Sequence, residues 1–267
     1  MPKFRAIVFD FFGTLTHAVD RGPWHAAIAR QLGCDPDALT TVLDRSFYTR
    51  SRGVLGSPEA TLRWVCAQLG VDPPSARLRA ALRARRAAIR ADTVLRADAV
   101  ATLHQVRLRG VRTAVISDCG YELPAILPSL PIAPLLDTAI YSVDVGQCKP
   151  HPAIYHAACR RLGVEPRECL YVGDGGSYEL TGAAAFGMTA VRLAAPDLGR
   201  HLVFVTDDYA GPAVDTLTRV LDFLPPAGAP RRRRCHLGIS HGRPSGARRF
   251  TLAQPLRPRR RTGAATG

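Results

Sequence analysis

At 267 residues with 46% hydrophobic content, the chain is long enough for one substantial core and a smaller appended module. No apolar run approaches the ~20 residues a membrane-spanning helix needs, and the start MPKFRAIVFD leads into a short apolar strand, so the expectation is a cytoplasmic protein without a membrane span. The formal charge of +14 invites a nucleic-acid reading, but from Ala227 onward there are eleven arginines and no acidic residue; without that tail the charge is +3.

The predicted elements alternate. A strand over 4–9 is followed by a stretch from 16 to 95 that is rich in Ala, Leu and Arg and reads as helical throughout. Within it, Pro23 opens one helix (PWHAAIARQLG), and Ser57 with Pro58 supplies an N-cap and first-turn proline for another. A helix over 98–109, ended by Gly110, leads to strands over 111–117 and 138–142. A helix over 152–162, ended by Gly163, precedes a strand over 169–173; a helix over 178–186, ended by Gly187, precedes a strand over 188–193. A last helix over 213–224 would place Val214, Leu217, Val220, Leu221 and Leu224 on one face. Beyond Pro225 and Pro226 the chain turns Arg-, Pro- and Gly-rich and reads as disordered.

Strand–helix alternation of this kind predicts an α/β fold: a Rossmann-like parallel sheet with helices on both faces and its active site at the carboxyl ends of the strands. An all-helical insertion between two such strands predicts a cap domain. The expected organisation is a core of 1–15 and 96–225, a helical cap of 16–95 and a basic tail of 226–267.

Polar residues sit where that fold would use them. Asp10 follows the first strand in Phe9-Asp10-Phe11-Phe12-Gly13-Thr14, Ser117 and Asp118 close the second, and Asp174 follows the fourth in Gly173-Asp174-Gly175-Gly176-Ser177-Tyr178-Glu179. Lys149 lies in Cys148-Lys149-Pro150. Each alone reads equally well as a turn residue or surface charge. Together, in this order and spread over residues 4 to about 224, they resemble the haloacid dehalogenase (HAD) superfamily.

The resemblance implies that Asp10 is the nucleophile and that Lys149 neutralises both nucleophile and substrate. It implies that Thr14 holds the first loop at the substrate, that Ser117, with Asp118 beside it, receives a phosphate, and that Mg²⁺ is held by Asp10, the Phe12 carbonyl and Asp174. Glu179 stands in the place of the family's second acid, orienting the metal's ligands from outside or coordinating directly. One departure matters: Phe12 occupies the family's acid/base position, a contribution worth on the order of 10²- to 10⁴-fold.

The expected function is therefore a Mg²⁺-dependent phosphatase acting on a small phosphate monoester through an aspartyl-phosphate. The alternative is a 2-haloacid dehalogenase, because halide leaves without a proton and tolerates Phe12; the retained carboxylates near Asp10 weigh against it, since they call for a cation. A weakly active phosphate-binding protein is a third reading. Nucleic acid is expected at most non-specifically, through Arg231 to Arg234 and Arg257 to Arg261. The seven cysteines show no metal-ligand pairing and read as reduced thiols. The histidines show no metal-ligand spacing and receive no role; Trp24 and Trp64 read as packing residues ahead of lining a substrate pocket, and Arg45, Arg50, Arg52 and Arg63 as facing water ahead of meeting an anionic substrate.

Overall fold

The computed structural model describes residues 4–224 and 226. The expectations for the arginine-rich tail and for Cys235 lie outside the described residues. The six other cysteines are free thiols.

The core is a six-stranded sheet, every neighbouring pair parallel, in the order β3-β2-β1-β4-β5-β6, formed by β1 (Ala6–Asp10), β2 (Arg112–Ser117), β3 (Thr138–Tyr141), β4 (Cys169–Gly173), β5 (Thr189–Leu193) and β6 (Ala213–Val214). Its central strands are short unbroken apolar runs because both faces are covered. Alternate residues of β1 serve opposite faces: Ile7 and Phe9 join one apolar cluster with Leu103 and Val106, and Ala6 and Val8 join another with Ile154, Leu162 and Leu180. The helices behind these clusters are α6 (Ala99–Leu108) on one side and α9 (Pro152–Leu162) and α10 (Glu179–Ala185) on the other.

Between β1 and β2 run α1 (His25–Leu32), α2 (Pro36–Arg45), α3 (Phe47–Ser51), α4 (Pro58–Gln68) and α5 (Ser75–Asp92). Asp35 caps α2 by accepting the Asp37 and Ala38 N–H groups, and Ser57 caps α4 by accepting that of Ala60, each followed by a first-turn proline. These helices share a separate apolar cluster that includes Ile28, Leu39, Leu62 and Leu78. Chain entry and exit are tied together: Thr16 and Leu95 form an antiparallel bridge, the His17 N–H donates to the Val94 carbonyl at 2.8 Å, and the Arg96 N–H donates to that of Leu15 at 3.0 Å. Trp64 packs against the cluster as expected, whereas Trp24 is 60% exposed, bordering a shallow groove with Arg90, Val94 and Leu130.

The helix expected over 213–224 is replaced by β6 and a tight helical turn at Thr218–Phe223. The edge of β5 offers unpaired backbone groups, and the extended segment satisfies them: the Arg192 N–H donates to the Pro212 carbonyl and the Ala194 N–H to that of Val214. Leu217, Val220 and Leu224 are still buried, so the apolar content was read correctly and its period was not. Two short helices, α7 (Glu122–Ile126) and α8 (Ser142–Val145), follow β2 and β3. Among the described residues no helix is long and apolar enough to cross a membrane.

Strand order reverses at β1, which makes the carboxyl edge beside it a natural crevice. The register fills that crevice: Asp10 pairs with Ile116, one residue before Ser117, and Phe9 pairs with Val172, two residues before Asp174.

Candidate active site

The turn after β1 is held from several directions. Gly13 takes φ +80°, a conformation that favours glycine, and a Cβ there would come within 2.6 Å of the His201 ring. Arg96 clamps the turn by donating from Nε to the Thr14 carbonyl (2.9 Å) and from Nη2 to that of Gly13 (2.7 Å), while its Nη1 meets Asp197 Oδ1 at 2.8 Å. This leaves Asp10 buried at the cleft floor and Phe12 extended beside it, its ring edge-on to Phe11. Thr14 departs from expectation. It is fully buried, its hydroxyl has no hydrogen-bond partner, and it is not part of the cleft wall, because the turn directs it inward and uses its carbonyl for Arg96.

Lys149 arrives from the loop before α9 and lies between two acids. Its Nζ donates to Asp10 Oδ1 at 2.5 Å and to Glu179 Oε2 at 2.6 Å. Burial opposes its charge, but Asp10 and Glu179 outweigh burial and push its pKa well above the ordinary lysine value. Burial and the nearby Glu179 push Asp10 up to about 7 despite the pull of Lys149. Asp174 is likewise pushed well up, first by burial and then by Glu179 and Asp10.

Glu179, in the first turn of α10, is fully buried and saturated: besides Lys149, it accepts from the Tyr171 hydroxyl at 2.8 Å and the Gly175 N–H at 3.0 Å. Gly173 makes room for it, since a Cβ there would sit 2.1 Å from the Glu179 carboxylate. Ser117 is buried at the cleft with an unpartnered hydroxyl. Asp118 accepts the Lys149 backbone N–H at Oδ1 (3.0 Å), its Oδ2 has no hydrogen-bond partner, and burial is the main cause of a pKa pushed up to about 6.

Asp10, Asp174 and Glu179 each present an oxygen within 4.8 Å of the others. Three hard oxygen donors so close suit a small divalent cation, which typically takes one or two carboxylates together with waters and substrate oxygens. Glu179 has its oxygens committed to protein donors, whereas Asp174 Oδ1 receives the Gly176 N–H at 3.3 Å, Oδ2 faces His201 Nε2 at 3.6 Å, and the carboxyl group also lies against that of Glu179. Asp10 and Asp174 therefore fit the direct ligands and Glu179 the group that orients them.

Sequence reasoning missed His201. The Val19 N–H donates to His201 Nδ1 at 2.8 Å, so a neutral ring carries its hydrogen on Nε2, facing Asp174. For Arg50 the preferred reading, facing water, gives way to the alternative of a cleft residue: Arg50 is 7% exposed and lines the cleft from the helical side. Arg45, Arg52 and Arg63 are exposed, as expected. The cavity between the two sides measures about 160 Å³, below the ~300 Å³ of the smaller drug-sized pockets, which suits a substrate of few carbon atoms.

Comparison with known proteins shows the family. The family model for haloacid dehalogenase-like hydrolases matches residues 4–187, and the chain belongs to that family of hydrolases. It is 30% identical over 207 residues to (S)-2-haloacid dehalogenase 4A of Burkholderia cepacia, covering 72% of this chain and 84% of that one. It is 37% identical over 97 residues to a glyceraldehyde 3-phosphate phosphatase of Methanopyrus kandleri, covering 36% of this chain and 42% of the relative. Among solved structures, L-2-haloacid dehalogenase from Xanthobacter autotrophicus with chloropropionic acid covalently bound shares the fold at TM-score 0.59 and 21% identity, covering 81% of this chain and 96% of that one. An HAD phosphatase from Thermococcus onnurineus does so at TM-score 0.56 and 22% identity, covering 82% and 97%.

Proposed function

We propose that this hydrolase is a Mg²⁺-dependent phosphatase for a small phosphate monoester, with Asp10 as nucleophile. The observation that carries the reading is the acidic trio of Asp10, Asp174 and Glu179. A single lysine serves two of its members, which leaves anionic charge for a cation to offset. Asp10 attacks phosphorus, the ester P–O bond breaks, and the alcohol oxygen leaves with a proton taken from water. Water then attacks phosphorus, freeing inorganic phosphate and returning the Asp10 carboxylate with its own oxygens. Lys149 pulls Asp10 toward its ionised form against burial and Glu179, and the Ser117 hydroxyl donates to a phosphate oxygen. Asp118 fixes the Lys149 main chain beside the phosphate. Asp10, Asp174 and the Phe12 carbonyl would hold Mg²⁺, which would supply charge stabilisation for the transferring group. The insertion over 16–95 closes over the phosphate as a cap.

The test is a panel of phosphate monoesters and 2-haloacids, with Mg²⁺ or EDTA. Mg²⁺-dependent phosphate release supports the reading; metal-independent halide release defeats it. That second outcome is the (S)-2-haloacid dehalogenase reading, favoured by Phe12 and by the Burkholderia relative. The two also respond differently to Phe12→Asp. A carboxyl at that position protonates the leaving alcohol, so phosphatase kcat should rise about tenfold or more, with no gain in halide release.

Metal binding has its own readout. Mg²⁺ competes with the protons that Asp10, whose pKa lies near 7, and Asp174 retain. At 10 mM and a Kd near 1 mM it should raise Tm by ~3–6 °C at pH 8. At pH 5 the rise should nearly vanish, and differential scanning fluorimetry across that range checks it.

A further inference from the structure

Of the basic side chains lining the helical side of the cleft, Arg21 is paired with Asp44, Arg85 with Glu122, and His25 Nε2 with Asp92 Oδ2 at 2.6 Å. Arg50 is different. Its Nε donates to Ser46 Oγ at 3.0 Å and its Nη2 to the Leu43 carbonyl at 2.7 Å, both neutral acceptors. Among the described residues no ion pair within 4.0 Å reaches it, and Asp44 and Glu122 are each engaged by another arginine. Two neutral hydrogen bonds orient the guanidinium without neutralising it. Burial and the nearby Arg85 accordingly lower its pKa to about 9. A buried charge of this kind is costly until an opposite charge reaches it; besides a smaller cavity toward Pro58 and Leu62, Arg50 lines the cleft that holds Asp10, Ser117 and Lys149, and a substrate's charge arrives from that side.

We propose that Arg50 receives a carboxylate carried by the substrate, so that the cleft selects a short phosphorylated carboxylic acid, with phosphate at Asp10 and carboxylate at Arg50. The phosphate end of this inference rests on the phosphatase reading. A carboxylate suits the site better than a second phosphate, because one uncompensated positive charge is matched by one negative charge, whereas a phosphate monoester brings −1.5 to −2. Leu43, Ile89 and Leu123 line the same cavity, and with about 160 Å³ available they leave room for a short carbon chain. The planar fork of arginine, already fixed on one edge, is pre-organised to meet a carboxylate with its remaining N–H groups.

The matched probes are 3-phosphoglycerate and glycerol 3-phosphate, which differ in carrying a carboxylate or a hydroxymethyl group. They are titrated calorimetrically with Mg²⁺ into the full chain bearing Asp10→Asn, which prevents turnover. The expected result is binding of 3-phosphoglycerate about tenfold tighter or more, as for a charge-assisted pair. Adding Arg50→Met should bring the ratio of the two affinities close to one, and Arg50→Lys should retain part of it. Equal affinities, failure of both probes to bind, or a preference that persists in Arg50→Met overturns the proposal. Should Arg50→Met fail to fold, the unsubstituted site's own preference and the Arg50→Lys ratio decide. A chain that prefers 3-phosphoglycerate but, with Asp10 intact, releases no phosphate overturns the phosphatase reading and keeps the carboxylate site. Phosphate release from both probes with equal affinity does the reverse.

Discussion

Asp10→Asn is expected to lower kcat on the order of 10⁴-fold or more while leaving the protein folded. The amide keeps the shape of the carboxyl group but has no nucleophilic oxygen of comparable strength, and nothing else at the crevice replaces it. Cys119 is buried, its thiol pushed well above the ordinary value by burial, and its backbone N–H is tied to Ser142 Oγ. The same substitution has a stability signature in metal-free buffer. The pKa of Asp10 is raised from 3.8 to about 7 in the folded state, so the protonated form is favoured by folding. That stabilisation is fully present below pH 3.8 and is lost as pH rises through 7. Wild type should therefore lose stability relative to Asp10→Asn over that interval, which thermal melts at fixed ionic strength will read.

Lys149→Met is expected to be the most destabilising single change at the site, costing about 3–5 kcal/mol in metal-free buffer at pH 8 and abolishing turnover. Lys149 Nζ is the shared partner of Asp10 and Glu179, and its removal leaves two buried acids facing each other and Asp174. The sign of the pH effect follows from the direction of the lysine shift. The raised pKa of Lys149 contributes stability through the working pH range that is lost only above its ordinary value, whereas the acids left behind escape their penalty by taking up protons. The deficit should be largest at pH 8 and shrink toward pH 5, and Mg²⁺ should recover part of it at the higher pH. Urea denaturation at the two pH values, with and without Mg²⁺, checks both statements.

Much of this site was legible because the fold places chemistry at strand ends, and strand ends can be read from short apolar runs. The runs holding Ile7, Ile116 and Val172 carry their side chains into the core, and the polar residues that follow, Asp10, Ser117 and Asp174, emerge along one edge. Lys149 was found through its motif, although its contact with Asp10 spans 139 residues. What escaped were roles that depend on a tertiary partner. Arg50 resembles its exposed neighbours Arg45 and Arg52 in sequence; its burial follows from the α2–α3 bend, where Ser46 and the Leu43 carbonyl capture it. Arg96 looks like one more arginine near a helix start, yet it holds two carbonyls of the turn after β1. His201 had one available signal: it lies in the connection after β5, on the carboxyl edge where functional loops gather, but metal-ligand spacing was the wrong criterion for it. Thr14 and the segment over 213–224 failed for a related reason, as backbone hydrogen bonding to Arg96 and to the edge of β5 decided their conformation.

The most direct test of the account is the fate of oxygen during turnover in ¹⁸O-water. Both chemistries open to this family use Asp10, but they regenerate it differently. An aspartyl-phosphate is hydrolysed at phosphorus, so the account predicts ¹⁸O in the released phosphate, dependent on Mg²⁺, and an Asp10 peptide of unchanged mass. An ester formed by displacing halide is hydrolysed at the carboxyl carbon; ¹⁸O appearing in the Asp10 carboxylate during metal-independent halide release would contradict the account.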